Sequence, residues 1–318
     1  MFFSNSGERV VEDAQQVSRD GKTPLWGMAK LQGRRAYMED TSSFLIGDTV
    51  YMFGVYDGHG NDRVSLYLQD VLLPEISKHF TQQESQNRSQ AMYETLFSTF
   101  RDVNEQYKSL AKEKWKNWGS GGSTAVVGAI YQETDGTFHL VVANTGDSRG
   151  VYCCKGDDGK VYPMSYDHKP NSPSEKARIE DSGGFIAKAA RGPWRVNGIL
   201  ATSRSFGDFD LSPQVIADPE IIDIELGRVI QENNKFRFKA SESWSVTGAN
   251  LLLASDGLWD VFSNQEAAKY VEILRAEGKT PEEIADLLVV TSYERYSGDN
   301  ITALVVFIDK LLESIAQS

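Results

Sequence analysis

One long segment of the chain carries apolar residues at intervals of three and four, the spacing of one face of an α-helix. It predicts a long helix with that face packed in the core. A second helix is predicted from about Arg63 to His79, and the polar segment Thr81 to Ser89 predicts a loop between the two. The apolar positions of the long helix are Met92, Leu96, Phe100, Val103, Tyr107 and Leu110.

Shorter apolar stretches bounded by turn residues predict β-strands, and they fall into two groups. The first group is Trp26 to Leu31, Thr41 to Ile46 and Thr49 to Tyr56. The second group is Ala125 to Tyr131, Phe138 to Ala143 and Gly150 to Cys154. A last strand, Thr302 to Ile308, precedes a short C-terminal helix.

Three more helices are predicted from their capping residues. Ser172, Ser263 and Thr280 each stand three residues before a glutamate, the spacing of a capping box. Gly183 and Gly278 are suited to ending the first two of these helices. Because strands outnumber helices and do not alternate strictly with them, a doubly wound sheet is disfavoured. The pattern favours an α+β fold with antiparallel sheets covered by helices.

Four apolar or glycine-rich stretches end in an aspartate that adjoins a glycine, namely Asp57, Asp147, Asp256 and Asp299. If the strand ends converge, these carboxylates meet and need a cation to offset their repulsion. Oxygen ligands without a Cys or His cluster favour a hard ion such as Mg²⁺ or Mn²⁺.

The glycine-rich run from Gly119 to Thr124 has a different interpretation. It lacks the lysine of a nucleotide-binding phosphate loop, and the sequence that follows it is strand-like. A tight entry into a buried strand is therefore favoured over nucleotide binding.

The composition is that of a globular protein that needs no disulfide framework. The chain has 318 residues, of which 40% are hydrophobic and 25% charged. Its two cysteines, Cys153 and Cys154, are adjacent and unsuited to bonding each other, which fits a reducing compartment. The formal net charge of −12 disfavours nucleic-acid binding, which depends on lysine and arginine at phosphates.

The sequence predicts no membrane association. No apolar run approaches the roughly 18 residues of a membrane span, and the start lacks the features of a secretory signal. Phe2 excludes N-myristoylation of this start. We therefore expect an intracellular protein, cytoplasmic, nuclear or both, with a loose N-terminal arm over 1–22 and a single domain over 23–318.

Two segments are locally basic in this acidic chain. Between Lys169 and Arg204 there are seven Lys or Arg residues against three Asp or Glu, and between 227 and 249 four against two. Such islands are either anion-binding surfaces or solvated loops. The first contains Lys188, Arg191 and Arg195, and the second is predicted to be a loop insert between two strands.

Three other positions have both a structural and a functional interpretation. An acidic pair such as Glu39-Asp40 is common on surfaces, and Arg204 fits a structural ion pair as well as a site. A lone histidine is more often structural than catalytic. His59, however, lies between two glycines directly after Asp57, so its imidazole is accessible and can donate a proton to a leaving group.

Taken in order along the chain, these residues resemble the protein phosphatase 2C family of metal-dependent serine/threonine phosphatases. The resemblance extends from about Trp26 to Asp309. The motifs that carry it are Arg35 with Met38-Glu39-Asp40, Tyr56-Asp57-Gly58-His59-Gly60, Gly122-Ser123-Thr124-Ala125, Asn144-Thr145-Gly146-Asp147-Ser148-Arg149, Asp167-His168-Lys169-Pro170, Arg195-Val196-Asn197-Gly198, Ser203-Arg204-Ser205-Phe206-Gly207-Asp208, Ser255-Asp256-Gly257-Leu258-Trp259-Asp260 and Gly298-Asp299-Asn300.

The resemblance implies a fold and a set of metal ligands. The fold would be a central β-sandwich of two antiparallel sheets flanked by pairs of helices, with two Mg²⁺ or Mn²⁺ ions at one end. Asp57 would bridge the ions, with the Gly58 carbonyl on one ion and Asp256 and Asp299 on the other. Glu39 and Asp40 would hold metal-bound waters, and Asp147 and Asp260 would serve a weaker third ion.

The resemblance also implies a mechanism. A water or hydroxide bridging the two metals would attack the phosphorus of phosphoserine or phosphothreonine directly. Arg35 would hold the phosphoryl oxygens, and His59 would protonate the departing oxygen. The segment 185–195 would be a flap beside the site, and its Lys188, Arg191 and Arg195 would contact the substrate.

Two alternatives to a phosphatase are left open. A catalytically silent pseudophosphatase that acts as a binding module would have lost metal ligands, whereas Asp57, Asp256 and Asp299 are all present. A different two-metal hydrolase, such as a nuclease, is disfavoured by the acidic charge. The expected partners are phosphoprotein substrates, with no nucleic acid and no membrane, and the expected state is a monomer.

Overall fold

Two six-stranded antiparallel sheets form the centre of the computed structural model. It describes residues 9–10, 24–47, 49–83, 85–155, 160–188, 190, 192–232, 235–241 and 245–316. The strands are β1 (Arg9–Val10), β2 (Trp26–Leu31), β3 (Thr41–Ile46), β4 (Val50–Tyr56), β5 (Gly58–His59), β6 (Gly122–Ser123), β7 (Ala125–Gln132), β8 (Thr137–Thr145), β9 (Arg149–Cys153), β10 (Val161–Pro163), β11 (Ile186–Lys188), β12 (Trp194–Val196), β13 (Phe206–Gly207), β14 (Glu220–Glu232), β15 (Lys235–Ala240), β16 (Asn250–Ala254) and β17 (Ile301–Phe307). The helices are α1 (Arg63–Gln82), α2 (Arg88–Lys114), α3 (Pro173–Asp181), α4 (Asp256–Trp259), α5 (Asn264–Ala276), α6 (Pro281–Glu294) and α7 (Ile308–Ala316).

The strand order in the first sheet is β1-β2-β17-β16-β9-β10, and in the second it is β15-β14-β8-β7-β4-β3. Every strand pairing within both sheets is antiparallel. A small sheet, β13-β6-β5, lies beyond the end of β4, and β11 and β12 form a hairpin.

The sequence of β7 shows how the layers pack. Successive side chains of a strand point to opposite faces. Val127 and Ala129 pack in the core shared with α1 and α2, whereas Val126 and Ile130 pack in the core between the two sheets. The outer face of the first sheet packs on α5 and α6. The molecule is therefore an α+β sandwich of two antiparallel sheets flanked by helix pairs, and the predicted fold class is confirmed.

Most predicted elements are confirmed within a few residues. The apolar stripe lies on α2, and its first members, Met92, Leu96 and Phe100, are fully buried. Side chains of Ser263 and Thr280 form capping boxes at the starts of α5 and α6. Ser172 precedes α3 but makes no side-chain cap, so this start is fixed instead by Pro173 at the first helical position.

The segment 227–249 is largely a β-hairpin, which corrects the predicted loop insert. β14 runs on to Glu232 and pairs with β15. The alternation of lysine or arginine with phenylalanine from 235 to 239 has the period of a strand, and Phe238 packs against Phe138 with ring centroids 6.2 Å apart. Residues 233–234 and 242–244 lie outside the described residues.

Two other predicted segments are described in part. Of the predicted arm 1–22, the structure describes Arg9–Val10, which pairs with β2; the remaining residues lie outside the described part. The predicted flap contains the β11–β12 hairpin, but Arg191 lies outside the described residues. No helix in the described part of the chain has the length and apolar character required to span a bilayer.

Candidate active site

The strand register gathers the predicted aspartates at one end of the sandwich. In the first sheet Ala254 pairs with Ala303, which places the residues just after β16 beside those just before β17. These residues are Asp256 and Asp299. In the second sheet Thr41 pairs with Tyr56, so Asp40 and Asp57 lie at adjoining strand ends. Asp147 follows β8, whose last residue pairs with the first residue of β7 at the same end.

Electrostatics show that these carboxylates act on one another. Burial raises the pKa of Asp57 well above its ordinary value, and the charges of Asp40, Asp256, Asp147 and Asp299 raise it further, in that order. Burial also raises the pKa of Asp256, again assisted by Asp147 and Asp299. Like charges are thus held together in a desolvated site, which costs free energy in the absence of a cation.

Two carboxylate oxygens in this cluster are buried without any hydrogen-bond partner, Oδ1 of Asp40 and Oδ1 of Asp256. The other oxygen of Asp40 accepts a hydrogen bond from Thr302 Oγ1 at 2.8 Å. Burial raises the pKa of Asp40 to about 6 despite the hydrogen bonds from Thr302 and Ser255. Orphaned carboxylate oxygens among like charges are the donor set that a hard divalent cation requires. The residues present therefore fit a Mg²⁺ or Mn²⁺ site.

The remaining predicted metal residues lie around this cluster. Burial raises the pKa of Glu39, and His59 and Arg35 oppose the shift. Burial likewise raises the pKa of Asp260, whereas Lys169 lowers it. A Cβ added at Gly58 would lie 2.4 Å from the Glu39 carbonyl oxygen, so only glycine lets this backbone approach the site.

Within the described residues, no three carboxylate, imidazole or thiol groups already enclose a common point as a direct ligand set. Magnesium commonly keeps several waters and takes only one or two carboxylates.

Lys169 places a positive charge at the edge of the cluster, which the sequence argument did not anticipate. Its Nζ lies 2.5 Å from Oδ2 of Asp147. Burial lowers the pKa of Lys169, but the charge and hydrogen bond of Asp147 outweigh burial and raise it overall. The only indication in the sequence that Lys169 belongs to the site was its position in the Asp167-His168-Lys169-Pro170 motif. The ammonium partly neutralises the side of the cluster that Asp147 and Asp260 form.

Arg35 lies beside the cluster at the protein surface. Its Nη2 donates to Oδ2 of Asp299 at 2.5 Å, and its side chain is 52% exposed. A guanidinium has five N–H donors, so this contact leaves others for an incoming anion. The structure therefore places a partly exposed guanidinium, with free N–H donors, at the edge of the carboxylate cluster.

His59 is held by a carboxylate that the sequence argument missed. Its Nε2 lies 2.6 Å from Oδ2 of Asp208, which also accepts from Ser205 Oγ at 2.5 Å. Burial lowers the pKa of His59, but the charge and hydrogen bond of Asp208 outweigh it and raise the pKa overall. The imidazole is thus poised to carry a proton near neutral pH.

Asn300 fixes the loop that carries Arg35 and Glu39, another role the sequence did not reveal. Its Nδ2 donates to the carbonyl oxygens of Gln32 and Tyr37 at 2.8 and 2.9 Å. Its Oδ1 accepts from the Glu39 amide at 2.8 Å. One buried amide therefore ties this loop to the Asp299 segment and sets the position of both.

Arg204 belongs to a buried ion-pair network, so its structural interpretation is the one supported. Glu175 is 2% exposed and accepts from Arg204 Nη2 at 2.6 Å, Arg178 Nη2 at 2.8 Å and Ser203 Oγ at 2.7 Å. Burial alone would raise the pKa of Glu175, but these two guanidinium groups lower it to about 2. The network joins α3 to the segment that leads to Asp208.

The flap residues lie on the β11–β12 hairpin and are not brought into the carboxylate cluster by any contact described. Lys188 Nζ lies 6.0 Å from the centre of the Trp194 ring. Arg195 Nη1 donates to the Ile199 carbonyl oxygen at 2.5 Å. Lys188 is exposed and Arg195 half-buried, and the register, in which Lys188 pairs with Trp194 and Ala187 with Arg195, places the two cations on opposite faces of the hairpin.

The sequence is similar to those of known proteins over most of its length. The family model described as Protein phosphatase 2C matches residues 26–236 and 242–301. The chain is 38% identical over 296 residues to "Probable protein phosphatase 2C 59" of Arabidopsis thaliana, covering 91% of this chain and 81% of that protein. It is 35% identical to "Protein phosphatase 1L" of Bos taurus, covering 87% and 70%.

Solved structures share the fold. A serine-threonine phosphatase 2C from Toxoplasma gondii superposes with a TM-score of 0.70 at 21% identity, covering 95% of this chain and 98% of that one. A sex determining protein of C. elegans superposes with a TM-score of 0.71 at 23% identity, covering 92% and 67%.

Proposed function

The chain belongs to the protein phosphatase 2C family and is a protein serine/threonine phosphatase, and from that premise we propose how its residues perform the reaction. The substrate is a phosphoserine or phosphothreonine side chain, hydrolysed directly by water within one catalytic domain, residues 23–318. The observation that carries this proposal is the cluster of mutually repelling carboxylates in which Asp40 and Asp256 keep an orphaned oxygen.

Divalent metal dependence is typical of the family, and the cluster suits it. Asp57, the Gly58 carbonyl, Asp256 and Asp299 would hold two ions, with Glu39 and Asp40 acting through water. Asp147 and Asp260 would hold a weaker third ion. When bound, such cations lower the pKa of water enough for it to act as the nucleophile near neutral pH.

Arg35 binds and orients the phosphoryl group. Its contact with Asp299 fixes one edge of the guanidinium, and the remaining N–H groups can meet two phosphoryl oxygens in parallel. A planar donor pair of this kind aligns the phosphorus for in-line attack.

His59 supplies the proton to the departing serine or threonine oxygen, which is a poor leaving group as an alkoxide. Asp208 holds the imidazole at Nε2 and favours its protonated form. Since Asp208 is buried and also bound by Ser205, the ring is fixed before the substrate arrives. No cysteine is needed as a nucleophile, and burial raises the pKa of Cys153 to about 12, far above the range of a reactive thiol.

The flap supports substrate binding through its cations, and this yields a prediction about KM. Replacing Lys188 and Arg195 by glutamine should raise KM for phosphoproteins about threefold, because each exposed charge pair contributes only about 0.2 to 1 kcal/mol. KM for p-nitrophenyl phosphate, which does not reach the hairpin, serves as the reference. An equal rise of KM on both substrates would refute the assignment. The matched control is Lys176→Gln, an exposed lysine on α3.

A silent pseudophosphatase has no observation in its favour. All of the proposed metal residues are present in the sequence. Those at the strand ends lie close enough for their charges to raise the pKa of Asp57. We therefore retain the enzyme as the one proposed function.

The test of this function is the removal and return of the metal. Phosphate release from a phosphoserine peptide should fall to background when EDTA strips the purified protein. It should return on addition of excess Mn²⁺ or Mg²⁺, because the carboxylate cluster refills. Activity that persists at full rate in EDTA would sink the metal-dependent mechanism, and a metal-replete protein without activity would favour the silent alternative.

A further inference from the structure

A row of aromatic rings with cations over them includes Phe209, the residue that follows Asp208, the carboxylate partner of His59. The rings are those of Trp115, Trp118 and Phe209, and Tyr107 packs between them. The ring centroid of Tyr107 lies 6.1 Å from that of Trp115 and 6.3 Å from that of Phe209. The ring centroids of Trp118 and Phe209 are 5.8 Å apart. Three cations cover them, with Arg63 4.9 Å from Trp115, Lys112 4.7 Å from Trp118 and Lys108 5.4 Å from Phe209. We call Arg63, Lys108, Lys112, Trp115, Trp118 and Phe209 the aromatic–basic platform.

The platform is basic in a protein whose net charge is −12. The segment 108–118 contains four lysines against one glutamate. Lys108 pairs with Glu105 at 3.0 Å, but within the described residues no carboxylate forms an ion pair with Arg63 or Lys112. Both of these side chains are exposed. Two cations are thus held in place over tryptophan faces and remain available to an anion.

Helix stability does not account for Arg63. It is the first residue of α1, where the positive end of the helix dipole disfavours a cation. Lys112 near the end of α2 is favoured by the dipole of that helix, but Arg63 is not. Its cation–π contact with Trp115 instead holds the charge at this helix start, where an incoming anion can meet it.

The platform is continuous with the side of the site from which the leaving group departs. Phe209 directly follows Asp208, the partner of His59. Arg63 follows His59 by four residues, and His59 pairs with Gly122 at the end of the loop that begins at Trp115. The acid that protonates the departing oxygen lies on the side of the substrate polypeptide, so this neighbouring surface faces the chain that flanks the phosphoresidue.

We propose that the aromatic–basic platform docks an acidic segment of the phosphoprotein substrate, next to the residue being dephosphorylated. Arg63 and Lys112 contact its carboxylates, and the tryptophan rings keep the two cations in place. The proposal rests on the proposed function, because it takes His59 as the acid of the leaving group. It makes the enzyme selective for phosphoserine with aspartate or glutamate nearby.

The test uses two phosphoserine peptides that differ only in flanking residues, one with aspartates and glutamates on both sides and the other with alanines. The protein variant is Arg63→Glu with Lys112→Glu. A glutamate at the start of α1 suits the helix dipole and offsets the small dipole cost of a glutamate at the exposed end of α2, so the variant should fold. The control is Lys269→Glu with Lys310→Glu, two exposed lysines on α5 and α7 that give the same change in net charge. Each kcat/KM is divided by that for p-nitrophenyl phosphate.

We expect the wild type and the control to prefer the acidic peptide, and the platform variant to lose about tenfold in that preference, which should also weaken with added salt. The milder variant, Arg63→Gln with Lys112→Gln, removes the two charges without reversing them. It should lose about threefold in its preference for the acidic peptide. Equal kcat/KM on both peptides in the wild type, or equal losses in platform and control variants, would overturn the docking site and leave the proposed function standing. No hydrolysis of any of the three substrates by the metal-loaded wild type would overturn both.

Discussion

Replacing Asp57 by asparagine is expected to lower kcat by about 10³-fold or more, whereas Asp147→Asn should lower it only about tenfold. Asp57 is the carboxylate on which the charges of four others act, so it lies at the centre of the cluster. Asp147 lies at its edge and already has Lys169 as a counter-charge. The comparison is made with phosphate release from a phosphoserine peptide at saturating Mn²⁺. Equal losses would contradict the ranking.

The same substitution should have the opposite effect on the stability of the metal-free protein. The raised pKa of Asp57 means that its ionised form destabilises the native state above the ordinary pKa of 3.8, and this cost persists at neutral pH. Asparagine removes the charge. We expect the Tm of Asp57→Asn in EDTA to exceed that of the wild type by at least about 2 °C. A lower Tm would show that the loss of activity reflects a damaged fold.

Glu175→Gln should cause the largest loss of stability among these predictions. It leaves the guanidinium groups of Arg178 and Arg204 in a buried network without their carboxylate. Breaking a buried ion pair costs about 3 kcal/mol, which lowers Tm by roughly 5 °C in a domain of about 300 residues. Glu180→Gln is the matched control on the same helix, because Glu180 is exposed and 3.8 Å from Lys176. A Tm loss below that of the control would refute the argument.

The effect of Glu175 on stability should also depend on pH. Its folded pKa is depressed from 4.5 to about 2, so its contribution is fully present above 4.5 and is lost as the pH falls toward 2. The Tm difference between wild type and Glu175→Gln should therefore be constant from pH 8 to 5 and shrink below. A difference that grows on acidification would contradict the assignment.

The fold and the site were predictable from the sequence to different extents. Strands buried on both faces, such as β7, are recognisable as apolar runs because each face meets its own core. The aspartates at the strand ends were recognisable because each adjoins a glycine. The pairs His59–Asp208 and Asp147–Lys169 were not, since antiparallel register and loop conformation decide which distant side chains meet. The hairpin formed by β14 and β15 was missed because its polar residues resemble those of a loop. Their pairing is apparent only once the partner strand is known.

Calorimetric titration of the metal-free protein with Mn²⁺ tests the central claim most directly. The wild type should bind Mn²⁺ with a tight phase, because Asp40, Asp57 and Asp256 hold orphaned or repelling carboxylate oxygens that a cation satisfies. Asp147→Asn should keep that phase and Asp57→Asn should lose it. Tight binding of Mn²⁺ by Asp57→Asn, with the stoichiometry and affinity of the wild type, would contradict the account.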